Sequence, residues 1–192
     1  MHKFAALFSL LVLFWSASAS AHGPVRQKVE EKVTINAPAE KVWEAIKEFC
    51  SIKQWHPKVT DCTLEGSSKK GAKFKLTLAN GGWIAEELKS YDDQKMMYSY
   101  KFNIDDMSTA KTIVHASQEV KVPVLPVANF SGSIEVQKKA DNTAEVIWKG
   151  AFYRAYMNNN PPPEMNEEAA IQAVTDFYRS GLDNLKQLVE KP

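Results

Sequence analysis

The chain has 192 residues, with 24 Lys and Arg against 23 Asp and Glu, so its formal net charge at pH 7 is +1. This balance argues against nucleic acid or an anionic membrane surface as a partner, because both would require a basic excess. The length corresponds to one domain, which is large enough to bury a core without a metal or a disulfide for support.

Residues 1–21 have the pattern of a secretory signal. Lys3 precedes an apolar run over 4–15, and the small residues Ala19, Ser20 and Ala21 follow it. The run is shorter than the roughly 20 residues that a membrane-spanning helix needs. We therefore expect cleavage after Ala21, a single domain over residues 22–192, and a periplasmic protein that does not span the membrane.

The first elements of the domain are a strand and a helix. Apolar residues alternate with polar ones over 29–35, which is typical of a strand with one buried face. Pro38 suits the first turn of a helix that is predicted to run to about Cys50. A short helical turn is expected over 52–55, and Pro57 ends it because the residue before a proline is disfavoured in helical geometry.

A series of strands follows, and a long helix closes the chain. The residues 104–127 are ambiguous, since their first part fits a short helix or an excursion of a strand, and Pro123 and Pro126 indicate an edge or a loop. Gly181 interrupts the final helix, and we expect another element to approach closely there. The strands are predicted over 59–64, 73–78, 83–91, 96–103, 130–137 and 144–153, and the helix over 164–189.

This order of elements predicts an α+β fold in which a curved antiparallel sheet wraps around the long C-terminal helix. Only that helix is large enough to cover one face of the sheet, and a gap lined by both is expected between them. Aromatic residues are predicted to line this gap as an apolar pocket, although a filled core would give the same pattern. They are Trp55, His56, Trp83, Tyr98, Tyr100, Phe130, Trp148, Phe152, Phe177 and Tyr178.

Few residues suggest catalysis or metal binding. His56 titrates near neutral pH, but the step Trp55-His56-Pro57 is better explained as a corner at the pocket rim, and no catalytic residue is predicted. Glu86 and its neighbour Glu87 would point to opposite faces of a strand, so at most one can face the pocket. We interpret this pair as a solvated partner of a nearby lysine. No histidine or cysteine spacing indicates a metal site, and no cofactor is predicted.

Cys50 and Cys62 are the two cysteines of the chain. An even number of cysteines in an oxidising compartment is compatible with a disulfide. Two small buried thiols are the alternative, and the sequence does not decide between them. A redox motif is not expected, because the spacing C-x-x-C is missing.

Two stretches carry a resemblance to a known superfamily. The segment TINAPAEKVWEAIKEFCSIKQWHPKVTDCTLEG at 34–66 and the segment FYRSGLDNLKQLVE at 177–190 resemble the START/Bet v 1 superfamily, also called SRPBCC. That resemblance implies the helix-grip fold. The stretch at 125–132, together with the signal sequence, is similar to exported MxaD-like proteins, which are accessory to periplasmic methanol oxidation. Relative to the compact pattern, residues 105–122 look like an insertion.

The resemblance implies a non-enzymatic accessory protein that aids contact between methanol dehydrogenase and its cytochrome c acceptor. A small hydrophobic ligand in the predicted pocket is part of the same expectation. Two alternatives stay open at this point, namely a periplasmic carrier of a small hydrophobic ligand and an enzyme of the polyketide cyclase kind.

Overall fold

The computed structural model describes residues 23–65 and 70–191. The predicted signal sequence, residues 1–21, lies outside the described residues. None of the described helices combines the length and the apolar composition that crossing a membrane requires.

Seven antiparallel strands form one sheet in the order β1-β9-β8-β5-β4-β3-β2. Consecutive strands are mostly neighbours, as short hairpin connections require. The edge strands are β1 and β2, the first two strands of the chain, because β1 pairs with the last strand, β9. The strands of this sheet are β1 Gln27–Ile35, β2 Val59–Glu65, β3 Lys73–Leu78, β4 Trp83–Asp92, β5 Met97–Phe102, β8 Val127–Lys138 and β9 Ala144–Arg154.

Three α-helices accompany the sheet: α1 Ala39–Ile46, α2 Ile52–Trp55 and α3 Glu167–Glu190. The helix α3 begins three residues later than the sequence indicates, because Pro163–Met165 form a separate 3-10 turn. Asn166 caps α3, since its side chain accepts a hydrogen bond from the Ala169 N–H at 2.8 Å.

The long helix α3 packs on the concave face of the sheet and completes the predicted helix-grip fold. Its buried residues recur at helical spacing, as an amphipathic helix requires. At the end of the helix, the apolar spacing would also place Leu188 on this face, but Leu188 is 41% exposed and Val189 is buried. The buried side of α3 consists of Ala170, Val174, Tyr178, Gly181, Leu182, Leu185 and Val189.

The ambiguous residues 104–127 form a hairpin, not a helix. The strands β6 Thr109–His115 and β7 Gln118–Pro123 pair only with each other and make a separate two-stranded sheet. The hairpin packs through Val122 against Ala155 and Met165, in the connection between β9 and α3. The predicted insertion is therefore a small unit beside the loop that leads into α3.

The two cysteines are joined. Cys50 lies in the 3-10 turn Phe49–Ser51 and Cys62 lies on β2, and their Cα atoms are 5.3 Å apart in a disulfide. This separation is ordinary for a disulfide. The bond fixes the turn between α1 and α2 to the edge strand β2.

Candidate ligand-binding site

The corner after α2 places His56 inside the protein. The His56 side chain is 2% exposed. Its Nε2–H donates to the Phe177 carbonyl at 2.9 Å, and its Nδ1 accepts from the Lys58 N–H at 3.1 Å. Burial lowers the pKa of His56 to about 4. Both ring nitrogens are thus bonded to backbone, and the neutral imidazole has no nitrogen free to transfer a proton.

The same corner fastens α3 to the sheet. The Asn184 amide donates to the Trp55 carbonyl at 2.9 Å, and Lys58 Nζ donates to the Asp176 carbonyl at 3.3 Å. A Cβ atom at Gly181 would lie 2.5 Å from His56 Cδ2. The close approach that the sequence indicated at Gly181 is therefore confirmed, and the approaching group is the His56 ring.

Nine of the ten predicted pocket residues lie together between α3 and the sheet. Eight of these residues form one cluster, in which Trp148 stacks on Tyr178 at 4.2 Å and Phe130 stacks on Phe152 at 5.5 Å between ring centroids. Tyr98 is joined to the cluster through Phe49. Trp83 does not belong to this cluster. It is half-buried on the outer face of the sheet, where Lys75 Nζ lies 4.8 Å above its ring, because Trp83 has the opposite strand parity to the buried Ile84.

A directed chain of hydrogen bonds crosses the cluster. Trp148 Nε1–H donates to the Tyr100 hydroxyl at 2.9 Å, and the Tyr100 and Tyr178 hydroxyls lie 3.2 Å apart. The Tyr178 hydroxyl donates to the Lys149 carbonyl at 3.1 Å. Since Tyr178 uses its only proton on Lys149, Tyr100 must be the donor to Tyr178. All three donors are thereby satisfied inside the protein.

The gap expected from the sequence is nearly filled. The rings of Tyr100 and Tyr178 occupy the space above Gly132 and Gly150, where an added Cβ would collide with them or with Phe130. The free volume that remains is only ≈ 10 Å³, which is about enough for one water molecule. This inner cavity is lined by Ile84, Glu86, Tyr100, Phe102, Leu125, Phe130, Val174, Phe177 and Tyr178.

Glu86 is the one carboxyl group in the lining of the inner cavity. It is 6% exposed, and it forms no hydrogen bond or ion pair with any other residue that the structure describes. Burial raises the pKa of Glu86 to about 8. Glu87 points outward and pairs with Lys89 at 3.3 Å and with Lys101 at 3.1 Å.

Strand parity predicted correctly that these two glutamates diverge, but the expectation of a solvated pair is wrong for Glu86. The signal was present in the sequence. Glu86 has the same parity as Ile84 and Leu88, which are buried along β4. A carboxyl group in that position is expensive to bury without a partner, so it is the residue of the interior whose role most needs an explanation.

An open groove adjoins the inner cavity. It has a volume of ≈ 380 Å³ and lies between α3, the β3–β4 turn and the β7–β8 connection. Three apolar side chains, Ile84, Leu125 and Phe177, line both the groove and the inner cavity. The full lining of the groove is Lys58, Leu78, Ala79, Asn80, Ile84, Val124, Leu125, Ala173, Asp176 and Phe177.

A second concave surface, of ≈ 420 Å³, combines outward-facing residues of the sheet with Glu86, Phe102 and Phe130, which also line the inner cavity. There the neighbouring strands align Lys73, Glu87, Lys101 and Ser131 side by side. Five of its eleven lining residues are ionisable, against two of ten in the groove, so an apolar ligand would gain less there than in the groove. Within residues 23–65 and 70–191, no three His, Cys, Asp or Glu side chains are grouped so as to hold a metal ion.

Comparison with known proteins agrees with this architecture. The family described as "Polyketide cyclase / dehydrase and lipid transport" matches residues 26–190. A search of curated proteins found no significant match.

Solved structures share the fold. The protein XoxI from Bacillus cereus is 24% identical, with a TM-score of 0.64 over 84% of this chain and 94% of its own. The ZhuI aromatase/cyclase from Streptomyces sp. R1128 is 14% identical, with a TM-score of 0.62 over 86% of this chain and 94% of its own.

Ara h 8.0201 is 15% identical, with a TM-score of 0.59 over 86% of this chain and 98% of its own. At these identities the structural matches establish the fold, and the family match establishes the relationship. The chain therefore belongs to the polyketide cyclase/dehydrase and lipid transport family, and its fold is of the Bet v 1-like, SRPBCC type.

Proposed function

We propose that this chain is a non-enzymatic binding protein for a small, mainly apolar ligand, which lies in the groove and reaches the inner cavity. The observation that carries the proposal is the shared wall, because Ile84, Leu125 and Phe177 belong to both spaces. A concave, mostly apolar site with few polar groups is the ordinary form of a small-molecule site.

Phe177 is suited to control the passage between the two spaces. Its carbonyl is held by His56 Nε2–H at 2.9 Å, so the helix backbone is fixed at this point. Its ring is only partly buried and packs 4.0 Å from the His56 ring. A rotation of this one side chain to another staggered rotamer would open the inner cavity toward the groove, at the expense of its contacts with the His56 and Trp148 rings.

The absence of enzymatic activity is part of the proposal. Both nitrogens of His56 and the hydroxyl protons of Tyr100 and Tyr178 are committed to bonds within the protein. A general acid or base needs a partner that orients it and a free atom within reach of the substrate. Among the described residues of the interior, the Trp55 indole N–H and the Glu86 carboxyl have no hydrogen-bond partner. The indole is neither an acid nor a base near neutral pH, and Glu86 has no group that orients it.

Export is also part of the proposal. It is supported by the signal-like pattern of residues 1–21 and by the Cys50–Cys62 disulfide, since disulfides persist in oxidising compartments.

Titration with N-phenyl-1-naphthylamine, an uncharged apolar dye whose fluorescence rises in apolar sites, tests the proposal. Ala173 lines the groove, whereas its neighbour Gln172 is exposed on α3. We expect Ala173→Phe to weaken dye binding by about tenfold or more, and the matched control Gln172→Phe to change it less than about twofold. The proposal fails if the wild-type protein binds no dye, or if both variants weaken binding equally.

The assistance of methanol oxidation stays a prediction that rests on the resemblance to MxaD-like proteins. Its direct test is a binding measurement with purified methanol dehydrogenase and its cytochrome c acceptor at several salt concentrations. A salt-dependent complex with either protein is the expected result, because electrostatic steering weakens as ionic strength rises. The role is excluded if neither protein binds at low salt.

A further inference from the structure

Apart from the Glu86 carboxyl, the polar groups that line the inner cavity are hydrogen-bond acceptors whose own protons are already used within the protein. The Tyr178 hydroxyl gives its proton to the Lys149 carbonyl, and the Tyr100 hydroxyl gives its proton to Tyr178. Trp148 Nε1–H is used on Tyr100. The hydroxyl oxygens keep spare acceptor capacity, and the Glu86 carboxyl has no partner among the described residues.

The lining of the inner cavity also contains no Lys, Arg or His. Three of its nine residues are Phe102, Phe130 and Phe177, whose ring faces carry negative electrostatic potential. Such faces attract cations, and the attraction is strongest when the cation is removed from water. A cavity that holds an unpaired carboxyl and phenylalanine rings, without a cationic side chain, is complementary to a positively charged group.

We propose that Glu86 binds the head group of the ligand, and that this head group is a primary or secondary ammonium on an apolar body. The inference rests on the proposed function, because the body of the ligand occupies the groove while its head enters the inner cavity past Phe177 and Leu125. The inner cavity has a free volume of ≈ 10 Å³, which agrees with a head group of one nitrogen.

The protonation state of Glu86 provides a second readout. Its raised pKa of about 8 means that most molecules of the empty protein carry the neutral carboxylic acid at pH 7. The ionisable groups that face Glu86 from the interior are the phenols of Tyr98, Tyr100 and Tyr178, whose pKa values burial raises above the ordinary range. On its other side, Glu86 borders the concave surface that Lys73, Glu87, Lys101 and Asp106 also line. The phenols stay neutral, so an ammonium that converts Glu86 to the carboxylate releases roughly one proton per ligand.

The experiment uses three probes with one apolar body, namely decylamine, decanol and decanoate, which compete with the dye N-phenyl-1-naphthylamine at pH 7. The variant Glu86→Gln removes the charge and keeps the shape, and Glu87→Gln on the outer face is its matched control. Calorimetry in two buffers of different ionisation enthalpy counts the protons released.

We expect wild-type protein and Glu87→Gln to bind decylamine about tenfold or more tightly than decanol, and decanoate most weakly. In Glu86→Gln the preference for the amine over the alcohol should fall below about threefold, with decanol affinity retained and no proton release. Equal binding of amine and alcohol by the wild type, or an amine preference that survives Glu86→Gln, overturns this inference and leaves the proposed function standing. Failure of the dye and of all three probes to bind overturns both.

Discussion

Gly181→Ala is expected to destabilise the protein, although alanine is the better helix former. In an exposed helix interior this change would stabilise by ~1 kcal/mol. Here the new Cβ would lie 2.5 Å from His56 Cδ2 and 3.0 Å from a ring carbon of Trp148. The His56 ring cannot easily retreat, because both its nitrogens are bonded to backbone and its face packs on Phe177.

The magnitude follows from these contacts. Overpacking of a well-filled core costs ~1–3 kcal/mol, and a strained or lost hydrogen bond of His56 adds about 1 kcal/mol. After subtraction of the gain in helix propensity, a net loss of roughly 1–3 kcal/mol remains. For a protein of this size, this lowers Tm by about 2–4 °C for each kcal/mol.

Urea unfolding followed by tryptophan fluorescence measures the loss. Asp183→Ala is the control, because Asp183 is exposed on the same helix and its replacement should stabilise slightly. In a His56→Ala background, the penalty of Gly181→Ala should shrink by more than half, as coupled neighbours require. If Gly181→Ala is as stable as the wild type, the His56 ring can move away from the new Cβ at little cost, and the reasoning about a rigid His56 is wrong.

The remaining predictions concern two buried titratable groups and the disulfide. The pKa of folded His56 is about 4, so between pH 4 and 6.5 the folded state binds fewer protons than the unfolded state. The free energy of unfolding should therefore rise by about 3 kcal/mol from pH 4 to 6.5. This prediction is contradicted if His56→Gln shows the same pH dependence as the wild type in urea unfolding. Because the pKa of folded Glu86 is about 8, the free energy of unfolding should fall, by roughly 4 kcal/mol at most, as pH rises from 4.5 to 8. Glu86→Gln should therefore have a higher Tm than wild type at pH 8, and an unchanged or lower Tm there would refute the burial argument. Replacement of Cys50 and Cys62 by serine opens a short loop and should cost ~3 kcal/mol in the free energy of unfolding; no loss relative to the oxidised protein would show that the loop is held without the bond.

Much of the fold could be predicted because binary patterning is a local property. Alternation of apolar and polar residues gave the seven strands of the main sheet, and helical spacing gave α3. The hairpin of β6 and β7 could not be predicted with the same certainty. Its strands are mostly exposed, so they lack the regular apolar alternation that identifies a strand with one buried face.

The site was predicted in part. Parity and spacing placed nine of the ten predicted pocket residues in the interior. Trp83 was assigned to the pocket because it is aromatic, without regard to the face of the strand on which it lies. The amount of free space depends on how the rings pack in three dimensions. The sequence does not state that Tyr100 and Tyr178 lie over Gly132 and Gly150, since that contact joins four distant segments.

The sequence by itself determined which residues face inward, because the periods of 2 and 3.6 residues fix side-chain direction within each element. Only the tertiary structure decided what those residues do there. It satisfied both nitrogens of His56 with backbone groups, paired Cys50 with Cys62, and left the Glu86 carboxyl without a partner among the described residues. Hydrogen bonds and burial depend on which elements meet, and the pattern of one element does not contain that information.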